Sequence, residues 1–499
     1  MNSSSTNPIM KNSRVNQLHF VLIPLMSPGH HIPMIDMARL LAQHGVFATI
    51  VTTPLNALRF NSTIQRASDS GLQIRLVSLH FPSTEAGLPD GCENMDNLPS
   101  RTLIKNFFIA SSMLQKPFED LLLGLQPPPS CIVSGKNLAW TVETSRKFRI
   151  PRVFFDGMGC FAFCCTNRLE ISKVHERVVS DSESFVVPGI PHRIELTKRK
   201  LPENLNPGSP DLTAVRNNMR AAEVVADAIL VNTFEDLEAD YVKDYKMVKG
   251  NNVWCIGPVS ASNKSNLDKI ERGDETASIE VSQWLDLWEP CTVIYACLGS
   301  ICGLKPWQLQ ELGLGLEASN RPFIWVIRGG EKSQGLENWI LEDGFEERTK
   351  KKGLVIRGWA PQVLILSHPA IGGFLTHCGW NSTLEGIDAG VPLITCPLFA
   401  EQFLNESLAV EVLGIGVRVG VEAAVTWGLE ERSGLVIKKE DVRTAIEKVT
   451  DDGEEAEERR KKARELGKMA KKAIEHGGSS YLNMDTFIQF VKQQNEINN

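Results

Sequence analysis

The chain has 499 residues, of which 53 are Lys or Arg and 60 are Asp or Glu, so its formal net charge is −7. Hydrophobic residues make up 42% of the chain and charged residues 23%, which is ordinary for a globular protein and excludes a disordered or fibrous one. A mildly acidic chain does not bind nucleic acid through bulk electrostatics, so an anionic ligand needs a local site. The length allows two or three domains.

The start of the chain and its cysteines indicate the compartment. Residues 1–17 are rich in Asn and Ser and lack the apolar core of a secretory leader, so we expect a disordered N-terminus. No stretch approaches the ~18 apolar residues of a membrane helix. The 11 cysteines form no C-x-x-C pair, which favours buried free thiols over disulfides or a metal site. We therefore expect a monomeric, cytoplasmic protein without integral membrane association.

Short apolar runs alternate with amphipathic stretches along the first half of the chain. The pattern predicts a strand over 18–24, a helix over 33–44 that ends near Gly45, and a second strand over 47–52. Strand–helix–strand alternation is typical of βαβ units around a parallel sheet.

The same alternation begins again after a polar segment in the middle of the chain. Further strands are predicted over 292–297, 323–328, 354–357, 370–376 and 392–396, with a helix over 307–318. Residues 260–279 show no apolar periodicity and are typical of a linker or surface loop. The predicted organisation is a disordered start (1–17), a first α/β domain (18–259), a linker or loop (260–282), a second α/β domain (283–480) and a C-terminal helix (481–499).

The most informative segment is 359–402, WAPQVLILSHPAIGGFLTHCGWNSTLEGIDAGVPLITCPLFAEQ. Its predicted strand leads into His377 and Gly379, and a helix opens directly afterwards at Trp380. A helix N-terminus preceded by glycine, at the carboxyl end of a parallel strand, is a typical anion site. The segment therefore predicts a site for a phosphate or diphosphate.

Side chains near this predicted anion site suit the remainder of a nucleotide sugar. Glu385 lies one turn into the helix, where its carboxylate would accept hydrogen bonds from ribose hydroxyls, and Trp359 offers a flat face to a base. Glu401 and Gln402 suit the hydroxyls of a sugar ring. The alternative is an ordinary βαβ unit in which Trp359 belongs to the core and His377 is a loop histidine.

The segment resembles the signature box of plant secondary-product UDP-glycosyltransferases of family 1. The matching motifs are W-A-P-Q, H-C-G-W-N-S, G-V-P and the final E-Q, and the likeness continues through P-G-H at 28–30 and L-G-S at 298–300. The motif G-M-G-C-F at 157–161 resembles the subgroup that acts on triterpenoids, steroids, flavonoids and hormones.

The resemblance implies an α/β fold of the GT-B type. Two Rossmann-like, doubly wound parallel-sheet domains would face each other across a cleft, with the acceptor on the first domain and the UDP-sugar on the second. The C-terminal helix would return to the first domain. UDP-glucose would be a co-substrate, and neither a metal nor a cofactor is implied.

The resemblance also implies roles for matching residues. Trp359 would stack on uracil, and Gln362 and Glu385 would bond the ribose. Glu401 and Gln402 would bond the sugar; Gln402 is typical of glucose-using members, and Glu401 stands where many members have Asp. The other residues that would bind the UDP-sugar, chiefly at its diphosphate, are Ser300, Ala360, His377, Gly379, Trp380, Asn381 and Ser382.

His30 matches the family's catalytic base, and free imidazole titrates near pH 6.5, so it can accept a hydroxyl proton at neutral pH. His31 ranks second, because it would point elsewhere. The family pairs its histidine with an Asp, but Gly135 stands at that position here, which should weaken the base step. Asp156 is a tentative substitute partner; alternatively it caps a loop, or His30 acts alone.

The sequence thus predicts an inverting glucosyltransferase that uses UDP-glucose and a hydroxyl of a lipophilic small molecule to give a β-glucoside. The acceptor would be of the triterpenoid or saponin, steroid or flavonoid type, and the apolar stretch 154–163 lines its pocket or belongs to the core. The alternative is a non-catalytic or impaired UDP-sugar-binding protein, because Gly135 replaces the Asp.

Overall fold

A computed structural model describes residues 17–205, 212–250, 252–262, 275–301, 303–327, 334–425 and 437–498. Nearly all of the N-terminus expected to be disordered (1–17), and residues 263–274 of the expected linker, lie outside the described residues. The remainder of that linker is not a loop throughout, because a helix begins at Glu275. This helix buries Val281 and Leu285, four residues apart on one face, in the core.

The first half of the chain is built on a seven-stranded parallel sheet with the order β3-β2-β1-β4-β5-β8-β9. Its strands are β1 (His19–Ile23), β2 (Phe47–Thr52), β3 (Ile74–Ser78), β4 (Cys131–Ser134), β5 (Arg152–Asp156), β8 (Ala228–Val231) and β9 (Val253–Cys255), and a small hairpin is formed by β6 (Ser184–Val186) and β7 (Glu195–Thr197). The helices are α1 (Pro28–Gln43), α2 (Pro54–Asp69), α3 (Ile104–Met113), α4 (Gln115–Gly124), α5 (Thr141–Phe148), α6 (Cys160–Ser172), α7 (Val174–Arg177), α8 (Thr213–Val224) and α9 (Ala239–Lys249).

The second half is built on a six-stranded parallel sheet with the order β12-β11-β10-β13-β14-β15. Its strands are β10 (Val293–Cys297), β11 (Phe323–Ile327), β12 (Gly353–Arg357), β13 (Ile371–Thr376), β14 (Leu393–Thr395) and β15 (Gly416–Arg418). The helices are α10 (Glu275–Leu285), α11 (Pro306–Ala318), α12 (Gln334–Glu342), α13 (Phe345–Thr349), α14 (Gln362–Leu366), α15 (Trp380–Ala389), α16 (Gln402–Ser407), α17 (Lys439–Thr450), α18 (Glu454–Ile474) and α19 (Ser479–Asn498).

Each sheet reverses its strand order at one point, and ligands of open parallel sheets bind in the crevice at such a point. In the first sheet the reversal lies between β1 and β4, where Ile23 pairs with Ser134. In the second sheet it lies between β10 and β13, where Cys297 pairs with Thr376. The loops that follow these four strands therefore form the site.

The last helix, α19, packs on the first domain rather than on the second. Met484, Phe487 and Val491 are fully buried in the core of the first sheet. The ring centroid of Phe487 lies 5.7 Å from that of Phe20 on β1 and 5.7 Å from that of Trp254 on β9. The apolar residues of α19, which recur every three or four positions, therefore face the first domain.

The helix after β1 begins at Pro28, five residues before the predicted start at 33, so the predicted start was wrong and His30 lies in the first turn of the helix. Pro28 favours helix initiation because its φ is already helical. Pro33 inside the helix has no N–H to donate to the carbonyl four residues earlier, at Gly29. That carbonyl instead accepts a hydrogen bond from Asn381 Nδ2 at 2.9 Å, so the helix runs through the proline.

In the part of the chain that the structure describes, every helix is too short or too polar to span a bilayer.

Candidate active site

The loops at the two strand-order reversals face each other and enclose a cavity of about 560 Å³. All of the predicted site residues line this cavity. They differ in their hydrogen bonds, because some of their side chains already have partners within the protein. One wall comes from the segments after β1, β4 and β5, and the other from those after β10, β12 and β13 together with the start of α16. The site is therefore built by both domains.

The N-terminus of α15 lines the cavity on the side of the second domain. Gly379 is the residue before the helix, and the first turn carries no acidic side chain. The first backbone N–H groups of a helix have no partner within the helix, and its dipole favours negative charge there. This end of α15 is suited to an anion such as a diphosphate.

The His377 ring lies between two glycines beside that helix end. A Cβ at Gly299 would lie 2.6 Å from His377 Nε2, and one at Gly379 would lie 2.5 Å from the same atom. Gly299 also has a φ of +79°, which side-chain-bearing residues rarely adopt. Burial lowers the pKa of His377 to about 4, so the neutral ring meets a ligand at pH 7, with one nitrogen as an N–H donor.

The side chains of Trp380 and Asn381 join the two domains. Trp380 Nε1 donates to the carbonyl of Asn232 at 2.7 Å, and Asn381 Nδ2 donates to the carbonyl of Gly29 at 2.9 Å. Trp380 uses its only side-chain N–H in this bond and can offer an anion its backbone N–H, whereas Asn381 Nδ2 keeps a second N–H besides its backbone N–H. That these residues hold the diphosphate stays a prediction.

A hydrogen-bonded group of side chains lies one turn further along α15. Gln362 Nε2 donates to Glu385 Oε2 at 2.7 Å and to Ser382 Oγ at 3.0 Å, and Tyr295 donates its hydroxyl to Gln362 Oε1 at 3.2 Å. Ser382 is thus held by Gln362. Burial raises the pKa of Glu385 to about 8. Hydroxyl donors from a ribose would favour the ionised carboxylate.

The segment after β12 and the turn after β10 complete this part of the wall. Trp359 is half-buried and Ala360 is buried, and both line the cavity. Ser300, the residue after Gly299, also lines the cavity. The half-exposed indole of Trp359 leaves a flat surface on which a base can stack.

Glu401 and Gln402 lie at the start of α16, at the end of the cavity towards the first domain. Gln402 Oε1 accepts hydrogen bonds from the backbone of Leu398 at 2.8 Å and of Phe399 at 3.0 Å. The carboxamide is therefore fixed by its oxygen, and its nitrogen is the group that can donate to a ligand. Burial raises the pKa of the Glu401 carboxyl.

His30 lines the opposite wall, in the first turn of α1. Its Nε2 lies 3.0 Å from Asn137 Nδ2, and its Nδ1 is buried without a hydrogen-bond partner among the described residues. Burial, with a smaller effect from the charge of Lys136, lowers the pKa of His30 to about 4. His31 points into the core instead, where its Nε2 hydrogen-bonds to Thr52 Oγ1 at 2.8 Å.

Asp156 lines the cavity but is not hydrogen-bonded to His30, so the tentative pairing is corrected. Its Oδ2 accepts from the hydroxyl of Tyr245 at 2.8 Å, and its Oδ1 accepts from the backbone N–H of Met158 at 3.2 Å. The end of β5 thus directs the carboxylate towards α9. The second of these bonds is the loop-capping role that was its alternative.

Sequence reasoning missed Asn137, the residue that does contact His30. It tested position 135 for a carboxylate and did not look further along the loop. The available signal was a polar side chain that follows β4, the strand next to β1 in a parallel sheet. Lys136 was also missed, although it lines the same cavity.

Some residues of the apolar stretch 154–163 line the cavity and others belong to the core, which were the two predicted roles. Phe154, Phe155 and Met158 line the cavity, whereas Phe161 is fully buried in the core. The stretch therefore contributes its first half to the cavity wall.

Comparisons with known proteins agree with this geometry. Residues 278–452 match the family model described as UDP-glucoronosyl and UDP-glucosyl transferase. UDP-glycosyltransferase 73C3 of Arabidopsis thaliana is 51% identical over 97% of this chain and 98% of its own, and UDP-glycosyltransferase 73C11 of Barbarea vulgaris is 48% identical over 97% and 98%. The crystal structure of Glycyrrhiza uralensis UGT73P12 complexed with glycyrrhetinic acid 3-O-monoglucuronide is 36% identical, covers 97% of each chain and has a TM-score of 0.90.

Proposed function

The chain belongs to the plant UDP-glycosyltransferase family and is a glycosyltransferase with the GT-B fold, and we propose that it moves glucose from UDP-glucose to a lipophilic small molecule. The bond formed would be a β-glucoside, with inversion at the anomeric carbon.

The main support for the proposal is a single cavity that has a histidine suited to act as a base on one wall and groups suited to bind a nucleotide sugar on the other. His30 belongs to the first domain, whereas the N-terminus of α15, Glu385 and Gln402 belong to the second. A bound sugar between these walls would present its anomeric carbon to an acceptor that approaches from the side of His30.

The proposed reaction uses groups of this chain alone. His30 accepts the proton of the acceptor hydroxyl, and the oxygen attacks the anomeric carbon from the face opposite to the diphosphate. The bond between that carbon and the diphosphate oxygen breaks, and UDP leaves with the electron pair. The backbone N–H groups at the start of α15 and the His377 ring stabilise the charge that develops on UDP. Base assistance of this kind contributes ~10²–10⁴ in rate.

The lining of the cavity supports a lipophilic acceptor. Leu25, Ile32, Phe154 and Met158 contribute apolar surface near His30. The relative from Glycyrrhiza uralensis was solved with a triterpenoid glucuronide, which supports an acceptor of the triterpenoid or saponin type, with steroids and flavonoids as the other candidates. The proposed reaction needs no group from a second copy, and we propose that the protein acts as a monomer.

A panel of UDP-sugars and acceptors with mass detection of products tests the proposal. With hydroxyl acceptors we expect a hexose adduct from UDP-glucose that is lost in His30→Ala and kept in His80→Ala, a matched control at an exposed position. The alternative, a non-catalytic UDP-sugar-binding protein, predicts UDP-glucose binding without any adduct. Transfer of another sugar in preference to glucose would overturn the donor assignment.

A further inference from the structure

The acceptor side of the cavity lacks a side chain where one would fit. Gly135 follows β4 and lines the cavity, and a Cβ built on it would meet no atom within 4 Å. The backbone there is not in the left-handed region, so glycine is not required by conformation. The result is open space at Gly135 in the cavity that His30 also lines.

The partner that His30 does have cannot assist it as a carboxylate would. Asn137 presents both an NH2 donor and a carbonyl acceptor, so either nitrogen tautomer of the ring can be accommodated beside it. A carboxylate only accepts, and it would therefore fix the tautomer and stabilise the imidazolium. His30 is thus oriented, but it gains no charge compensation when it takes a proton.

A cation lies next to this open space. Lys136 lines the cavity between Gly135 and Asn137, and among the described residues it has no ion-pair partner. Its charge acts on His30, Asp156 and Glu401, which places it within electrostatic range of both the base and the proposed sugar site. Positive charge at this point disfavours an imidazolium and favours an anion.

Resting on the proposed function, we infer that Lys136 and the space at Gly135 form a subsite for an anionic oxygen nucleophile, a carboxylate or phenolate of the acceptor. Such acceptors need little help from a base. A carboxylic acid like that of Glu has a pKa of about 4.3 and a phenol like that of Tyr about 10, whereas water, which resembles an aliphatic alcohol, has about 15.7. The enzyme therefore selects acceptors by the acidity of the hydroxyl.

When the acceptor is a carboxylate, transfer of the sugar requires no proton transfer. The carboxylate oxygen forms the bond to the anomeric carbon, the bond from that carbon to the diphosphate oxygen breaks, and UDP leaves with the electron pair. The product is a glucose ester. For a phenol the proton passes to His30, and Lys136 stabilises the negative charge that develops on the oxygen.

Three probes on one scaffold test the inference: naphthoic acid, naphthol and naphthalenemethanol, each substituted at the same ring position. With UDP-glucose we expect kcat/KM for the acid and the phenol to exceed that for the alcohol by about tenfold or more. Lys136→Met should lower the values for the acid and the phenol by about tenfold, with little effect on the alcohol. Lys136→Arg, the control that keeps the charge, should retain most of the activity.

Gly135→Asp is the complementary variant, because it places a carboxylate in the open space at Gly135, where related sequences have the Asp that pairs with their histidine. It should raise the rate with naphthalenemethanol and lower the rate with naphthoic acid. Best use of the alcohol by the wild-type protein, an equal loss for all three probes in Lys136→Met, or a Lys136-dependent preference for UDP-glucuronic acid would overturn the inference. If UDP-glucose itself fails to bind, the proposed function fails instead.

Discussion

The burial of Glu385 makes a quantitative prediction about donor binding. In the free protein the pKa of this carboxyl is raised to about 8, chiefly by burial, whereas ribose hydroxyls would donate to the ionised form. Below pH 8 most Glu385 is protonated, so binding of UDP-glucose must release a proton. Affinity should therefore rise with pH and level off above 8. Between pH 7 and 8.5 the expected gain is about eightfold, or about 1.3 kcal/mol.

Calorimetric titration with UDP-glucose across this pH range measures the gain. His30 and His377 each have a pKa of about 4, so neither titrates in this window in the free protein. Glu385→Gln should bind with an affinity that is independent of pH, and Glu465→Gln, an exposed control on α18, should keep the wild-type slope. A flat wild-type profile, or a slope that persists in Glu385→Gln, would refute the reasoning.

Three further predictions concern the stacking of Trp359 on the nucleobase, the contact of Trp380 with the first domain, and the packing of α19. Trp359→Ala should weaken UDP binding by about 1–3 kcal/mol, the value of an aromatic ring stacked on a base, and an unchanged dissociation constant in a fluorescence titration would speak against stacking. Trp380→Phe should destabilise the fold by about 1–3 kcal/mol in urea unfolding, because a buried carbonyl of the first domain loses its donor. Phe487→Ala should cost about 3–5 kcal/mol in the same assay, whereas Leu482→Ala, at an exposed position of α19, should cost little; equal effects would contradict the packing.

Two strands of the first sheet, five strands of the second and the segment 359–402 could be predicted because their signals are local. Apolar runs between turn residues predicted the strand at 47–52 with the observed bounds, and the strand predicted over 370–376 begins one residue later in the structure. The helix at Trp380 was predicted from the glycine that precedes it. Such patterns depend on neighbours in the chain, so one sequence is sufficient to recognise them.

What the sequence could not supply were contacts between distant residues. His30 and Asn137 are 107 positions apart, and they meet only because β1 and β4 are neighbours in the sheet. The start of α1 was missed for a similar reason, since the carbonyl released by Pro33 finds its partner in the second domain. The hydrogen bond from Trp380 to the carbonyl of Asn232 likewise forms only when both domains are folded and in contact.

The central claim is that the second domain holds UDP-glucose while His30 of the first domain activates the acceptor. Acceptor-dependent release of UDP with an alcohol or phenol acceptor, measured for the wild type and for His30→Ala with equal UDP-glucose affinity in both, tests it most directly. We predict release in the wild type and a loss of ~10²–10⁴ in His30→Ala. Full turnover in His30→Ala, or no binding of UDP-glucose to the wild type, would contradict the account.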